Sequence, residues 1–276
     1  KLAQWEQVFA YSETKGMFLH FKTFENENVS NMGKHKLTDD RKLYYRELIA
    51  RFGHHLALNW NLSEETNVDI NVVRETAAYI RNLDPYKNHV VQHTFPIGYP
   101  SKGPVQPNFE FYHENLVGFQ SELTGLSLQL QKKDIHEQVV KWVDLSEESG
   151  KPWAIANDEQ GDASDGATVD ETYPGYTGKL KLDNAAEMRH KVLYGTLMGG
   201  GYGVEYYYGY QTEASDLHAQ DHRTREVKFK QAVIAKELFE SLDVKTMHSM
   251  DDFTSMEEDY VFGNDEQMVV YMPKGG

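Results

Sequence analysis

Apolar residues along this chain recur with two alternating periods. Short runs of β character lie at residues 16–22, 55–61, 88–93, 125–130, 153–157 and 203–208. Between them come longer segments whose apolar positions recur every three or four residues, at 68–83, 134–148, 184–198 and 226–242, as amphipathic helices require. The helix after the first run is the best marked. Thr38 is placed to cap it, Asp39 and Asp40 suit the positive end of its dipole, Leu43, Tyr44, Leu48 and Ile49 form one face, and Gly53 ends it. A further amphipathic segment opens the chain at Lys1. Strands alternating with helices of this length predict a parallel sheet with helical crossovers.

The expected fold class is α/β, a (β/α)8 TIM barrel. A barrel of this kind takes roughly 250 residues, and the chain has 276. Six strands fall short of eight, and the chain opens inside a helix without a cap, so the first two βα units are expected to be lacking here. The barrel is expected over residues 1–262. Residues 263–276, with the strand-like Met268-Val269-Val270-Tyr271, are expected to begin a C-terminal β-domain or a strand trailing the barrel. The longest irregular stretches, 94–111, 161–183 and 209–225, each follow a strand, where barrels carry their active sites. A doubly wound open sheet is the competing architecture, but no glycine-rich phosphate turn follows any strand.

Composition narrows the partners. With 28 Lys and Arg against 43 Asp and Glu, the formal charge of −15 argues against nucleic acid or an anionic membrane surface. No apolar run reaches the roughly 18 residues a membrane helix needs. There is no cysteine, so disulfides and thiolate chemistry are excluded while the compartment stays open. The 17 Tyr and 4 Trp provide flat faces with polar handles, which suit sugar binding and ordinary cores alike.

Two acidic motifs carry the chemistry. One is Trp60-Asn61-Leu62-Ser63-Glu64-Glu65, the other Asn157-Asp158-Glu159-Gln160-Gly161, and each closes a predicted strand. Cleaving a glycosidic bond takes two carboxyl groups delivered from separate elements, one to protonate the leaving oxygen and one to attack or stabilise the sugar carbon. The plain alternative for Glu64-Glu65 is a pair neutralising the dipole of the following helix. For Glu159 the alternative is an ordinary acidic residue after a strand.

These motifs resemble the fourth and seventh strand ends of the retaining (β/α)8 glycoside hydrolases that include cellulases and mannanases. Glu65 and Glu159 are 94 residues apart with two predicted strands between them, as that assignment requires. The run Leu19-His20-Phe21-Lys22-Thr23 and the segment Gly199 to Tyr207 further resemble bacterial barrel proteins classed with the glycosidases, in which a collagen-binding-like β-domain follows the barrel. The resemblance implies polysaccharide breakdown with retention, Glu65 as acid/base and Glu159 as nucleophile. It also implies a secreted or periplasmic protein. Glu64 departs from the pattern, because that clan has an asparagine there that contacts the sugar 2-hydroxyl. Glu64 could take over that contact or serve as the acid itself.

Other strand ends add candidates for substrate binding: His20, Lys22, Asn61, His93, Gln129 and Tyr207. The polar loop 215–225 could hold an acidic glycan or simply face water. No cofactor is expected. His54 and His55, taken as neighbours on a strand, should face opposite ways and not share an ion, and Asp158, Asp162, Asp165 and Asp170 lack the spacing of a calcium loop. A carbohydrate-binding barrel without catalysis and a metal-dependent isomerase or hydrolase barrel are the alternative functions.

Overall fold

The computed structural model describes residues 1–65, 68–93, 109–215, 217–218 and 221–275. Most of the expected irregular stretch 94–111 therefore lies outside the described residues, as do Asp216, Ala219 and Gln220 of the polar loop. Six parallel strands form one sheet in chain order: β1 (Leu19–Lys22), β2 (Leu58–Asn61), β3 (His89–His93), β4 (Gly125–Leu130), β5 (Ala154–Gln160) and β6 (Gly203–Val204). Helices α1 (Leu2–Thr14), α2 (Asp39–Phe52), α3 (Ile70–Leu83), α4 (Phe109–Glu114) and α5 (Ile135–Glu148) come between or before them. After β5 the chain runs through α6 (Ala185–Glu187), a π-helical stretch Met188–Tyr194 and α7 (Gly195–Met198), and α8 (Glu226–Glu240) follows β6. This is the α/β pattern of parallel strands with helical crossovers expected from the periodicity.

The chain divides into two compact units, with β4 and α5 contributing to both. In the first unit, Trp60 is fully buried and donates its indole N–H to Asp84 at 3.0 Å. Phe21 sits 5.4 Å from Trp60 and 5.9 Å from Phe52, and Phe9 of α1 meets Phe52 edge-on at 5.1 Å. These rings all lie on one side of β1 and β2, because residues that alternate along a strand face opposite sides. The capping of α2 follows its sequence signals: Thr38 accepts from the Arg41 amide at 3.3 Å. Its buried face differs from the expected one. Arg41, Tyr45, Leu48, Ile49 and Phe52 are inside, whereas Leu43 is 51% exposed. Positions 41, 45, 48, 49 and 52 trace a single stripe at helical spacing, and 43 lies off it.

In the second unit, β5 and β6 pair in parallel, with Ala156 opposite Gly203 and Asn157 opposite Val204. A three-stranded antiparallel sheet of β7 (His248–Ser249), β8 (Tyr260–Gly263) and β9 (Met268–Tyr271) lies in the same unit. Phe262 and Tyr260 of β8 are buried with Met198 and Met247, and Phe239, Leu242 and Tyr194 pack against them. The small sheet is thus tied to α7 and α8 by apolar burial, and residues on both sides of Gly263 belong to it.

Three strand limits move, each for a local reason. Gly16 takes the left-handed conformation (φ 68°) at the end of α1, so β1 starts at Leu19. Leu56 gives its amide to the Glu13 carboxylate at 2.8 Å, which holds residues 55–57 in a bend and delays β2 to Leu58. β6 ends at Val204 because the side chain of Gln160 takes over the next positions. Its amide nitrogen donates to the Glu205 carbonyl at 2.8 Å, and its oxygen accepts from the Tyr207 amide at 3.1 Å.

Candidate active site

Parallel register decides which side chains share a face of the sheet. His20 lies opposite Asn59 and Lys22 opposite Asn61, while Asn61 lies opposite Val91 and His93 opposite Ser127. Neighbours in register point to the same side, so His20, Lys22, Asn59, Asn61, His93 and Ser127 share one face. The other face carries Phe21, Leu58, Trp60, Val90 and Leu126. One face of the first unit is apolar toward helices, and the other is a polar surface rising toward the carboxyl ends of the strands.

The predicted site residues of this unit are joined on that polar face. Asn61, fully buried, hydrogen-bonds the His20 ring at 2.9 Å and the Ser127 hydroxyl at 3.4 Å. Just beyond β2, the Lys22 ammonium donates to Glu64 at 3.1 Å, and the Glu64 amide donates to the Phe24 carbonyl at 2.7 Å. A carboxylate oxygen of Glu64 and a ring nitrogen of the fully buried His93 lie within 4.8 Å of each other. Gln92, on the opposite parity, donates to the Ser63 hydroxyl at 3.0 Å and braces the turn from behind. Glu65 follows with a left-handed backbone, φ 45°, a region that non-glycine residues occupy at a cost of order 1 kcal/mol or more.

In the second unit Glu159 stands near the carboxyl end of β5 and is only 7% exposed. Its neighbours are polar. Asn157, on the same side of the strand, donates to the Leu128 and Glu159 carbonyls at 3.2 and 3.3 Å. Gln129 of β4 donates to the Gly161 carbonyl at 3.0 Å, and the left-handed Gly161 gives its own amide to Leu130 at 2.7 Å. The latter bond carries the β4–β5 ladder past Glu159 and fixes where the strand stops. Of the three tyrosines after β6, Tyr207 is held by its backbone to Gln160 and Ala167. Tyr208 lies under the Arg225 guanidinium at 4.2 Å, and burial raises the Tyr206 phenol well above its ordinary range.

Sequence reasoning missed several groups that build this surface. Asn59, Asn157 and Ser127 are all essentially buried polar residues, and their strand parity with Asn61, Glu159 and Gln129 was the available signal; Gln160, also buried, has the opposite parity to Glu159 and gave no such signal. Elsewhere, Asp170 is engaged with Lys228 at 2.7 Å and the Val227 amide at 2.7 Å. Asp221 and Arg223 form an exposed pair in the polar loop, in which hydrogen bonds from Arg223 bring the Asp221 carboxyl down to about 2. The expected placement of the two histidines is wrong. His54 and His55 are not on a strand but in the turn and bend before β2, and their rings stack with centroids 4.4 Å apart.

No known family model matches the chain, and no curated protein matches it in sequence. Solved structures match its fold. A glycoside hydrolase family 5 protein from Bacteroides vulgatus ATCC 8482 aligns over 97% of this chain and 60% of its own, with a TM-score of 0.66 and 11% identity. A second protein of the same organism, provisionally assigned as a glycoside hydrolase, aligns over 93% of this chain and 46% of its own, with a TM-score of 0.53 and 15% identity. The chain therefore spans about three fifths of the first of these proteins and less than half of the second, and at such identities the likeness is one of fold.

Proposed function

We propose that this chain forms the catalytic part of a retaining glycoside hydrolase that cleaves O-glycosidic bonds of a polysaccharide or oligosaccharide. The observation that carries the reading is Glu159, a carboxylate 7% exposed near the carboxyl end of a parallel strand. The fold shared with the two Bacteroides proteins supports it. In the proposed reaction the Glu159 carboxylate attacks the anomeric carbon while Glu65 protonates the departing oxygen. Glu65 then takes a proton from water, which displaces Glu159 and restores both groups with net retention.

Two local features favour Glu65 over Glu64 as the proton donor. The Glu64 carboxylate is already engaged by Lys22 at 3.1 Å, which suits a group that accepts a hydrogen bond from a sugar hydroxyl in place of the expected asparagine. Glu65 has the strained backbone, and strain of this kind concentrates at functional positions. His20, Asn61, His93, Gln129 and Tyr207 complete the proposed sugar-binding surface. A carbohydrate partner outside the cytoplasm accords with this reading.

The Lys22–Glu64 ion pair also gives some support to a binding barrel that has lost catalysis. Kinetics separate the two readings. Glu159→Gln is expected to abolish turnover, and Glu65→Ala to slow substrates with poor leaving groups far more than activated aryl glycosides. Full activity in Glu159→Gln would overturn the assignment.

A further inference from the structure

A second cluster of ionisable groups stands at the other end of the strands. His54 and His55 occupy the bend that leads into the amino end of β2, and α1 lays Glu6 and Glu13 beside them. Glu6 and Glu13 are seven residues apart, so both project from one face of α1. One Glu6 oxygen lies 3.3 Å from His54 Nε2 and the other lies 3.6 Å from His55 Nε2. The potential donor atoms of Glu6, His54 and His55 all fall within 4.8 Å of one another.

The His55 ring shows how the cluster is organised. Its side chain is 1% exposed. Nδ1 lies 3.3 Å from Glu13 Oε2, and the other Glu13 oxygen accepts from the Leu56 amide at 2.8 Å. A carboxylate in that position accepts the Nδ1 proton and leaves the Nε2 lone pair directed the other way. His55 Nε2 is buried, points at Glu6, and has no hydrogen-bond partner among the described residues. A neutral imidazole nitrogen facing a carboxylate oxygen at 3.6 Å is a repulsive arrangement of two lone pairs.

A divalent metal ion among these atoms would give the buried His55 nitrogen the partner it lacks and take up the facing Glu6 oxygen. Imidazole nitrogens bind zinc at roughly 2.0–2.1 Å, so neighbouring donors in a tetrahedral shell lie about 3.3 Å apart, close to the 3.3 and 3.6 Å of the two Glu6–histidine contacts. A carboxylate on the far nitrogen of a ligating histidine is the usual device for fixing its tautomer. We propose that Glu6, His54 and His55 form a binding site for a zinc-like divalent transition metal, with Glu13 orienting His55 and the fourth position open to water on the half-exposed side of His54. An ion there would clasp α1 to the turn entering β2. It has no part in the proposed glycosidase chemistry, because Glu64 and Glu65 follow the opposite end of β2.

Titration of the metal-stripped protein with zinc sulfate, followed by calorimetry and thermal melting, tests the site. One equivalent is expected to bind and to raise Tm. His54→Ala and Glu6→Gln alter partly exposed side chains and leave folding intact, and either should abolish that equivalent. Glu13→Gln should weaken binding about 10–100-fold. Cobalt(II) should give the intense visible absorption of a four-coordinate site in the wild type and lose it in His54→Ala. Zinc binding that is unchanged in His54→Ala and Glu6→Gln would overturn the proposal. So would an equivalent lost only in His93→Ala, or no binding and no change in Tm, which would leave the cluster as a set of contacts between α1 and the turn before β2.

Discussion

Glu65 holds a backbone conformation that a glycine would hold at no cost. Glu65→Gly is therefore expected to raise stability by about 1 kcal/mol in denaturant unfolding while hydrolysis is lost, the signature of a residue kept for function. A variant that is both less stable and still active would contradict this. Lys228 is the opposite case. It is fully buried and bonded to Asp170 at 2.7 Å and Asp183 at 2.9 Å. Lys228→Ala should cost about 3–5 kcal/mol, because it leaves the buried Asp170 carboxylate without its counter-ion. At this scale the sequence showed which residue types stand at the strand ends. It did not show that Glu64 would be taken by Lys22, because that pairing joins β1 to the turn after β2 across 42 positions. Nor did it show that His54 and His55 stack, since a bend was read as strand.

Helix α2 was legible from its cap to its end, because capping and dipole signals are local. Thr38→Ala should lower stability by about 1 kcal/mol, with Thr38→Asp preserving it, as measured by chemical denaturation. Strand ends were less legible, and the reason recurs. β2 starts late because the Glu13 carboxylate claims the Leu56 amide, and β6 stops early because the Gln160 side chain claims Glu205 and Tyr207. In both places a side chain distant in sequence replaces a ladder partner, which no periodicity reveals.

The small sheet offers a pH test at the element scale. Burial pushes the Asp251 carboxyl up, but hydrogen bonds from His136, the Val261 amide and the Ser249 hydroxyl outweigh it and hold the group below its ordinary 3.8. The unfolded chain then binds this proton more readily than the folded one. The stabilisation is full above about pH 4 and disappears as pH falls through the lower folded value. Asp251→Asn should lower Tm at pH 7, and the difference should shrink below pH 4. A deficit independent of pH would show that the carboxylate charge is not what holds the sheet.

Across the whole molecule, the alternation of strand and helix sufficed to give the parallel α/β order, because each crossover is read within some thirty residues. Described among its residues is no helix long and apolar enough to cross a membrane. The polar face of the sheet, by contrast, emerges only from register, which sets His20 opposite Asn59 and His93 opposite Ser127. Individual strands read as mixed apolar and polar runs, and only their alignment gathers the polar positions on one side.

The role we propose for Glu159 as the nucleophile of a retaining glycosidase can be tested by offering azide to Glu159→Ala with an activated aryl glycoside and identifying the product by NMR. The variant is expected to be inactive in water and revived by azide, with a glycosyl azide of inverted anomeric configuration as product, because azide enters from the face the carboxylate vacated. Full hydrolysis by Glu159→Ala without azide, or a glycosyl azide of retained configuration, would contradict it.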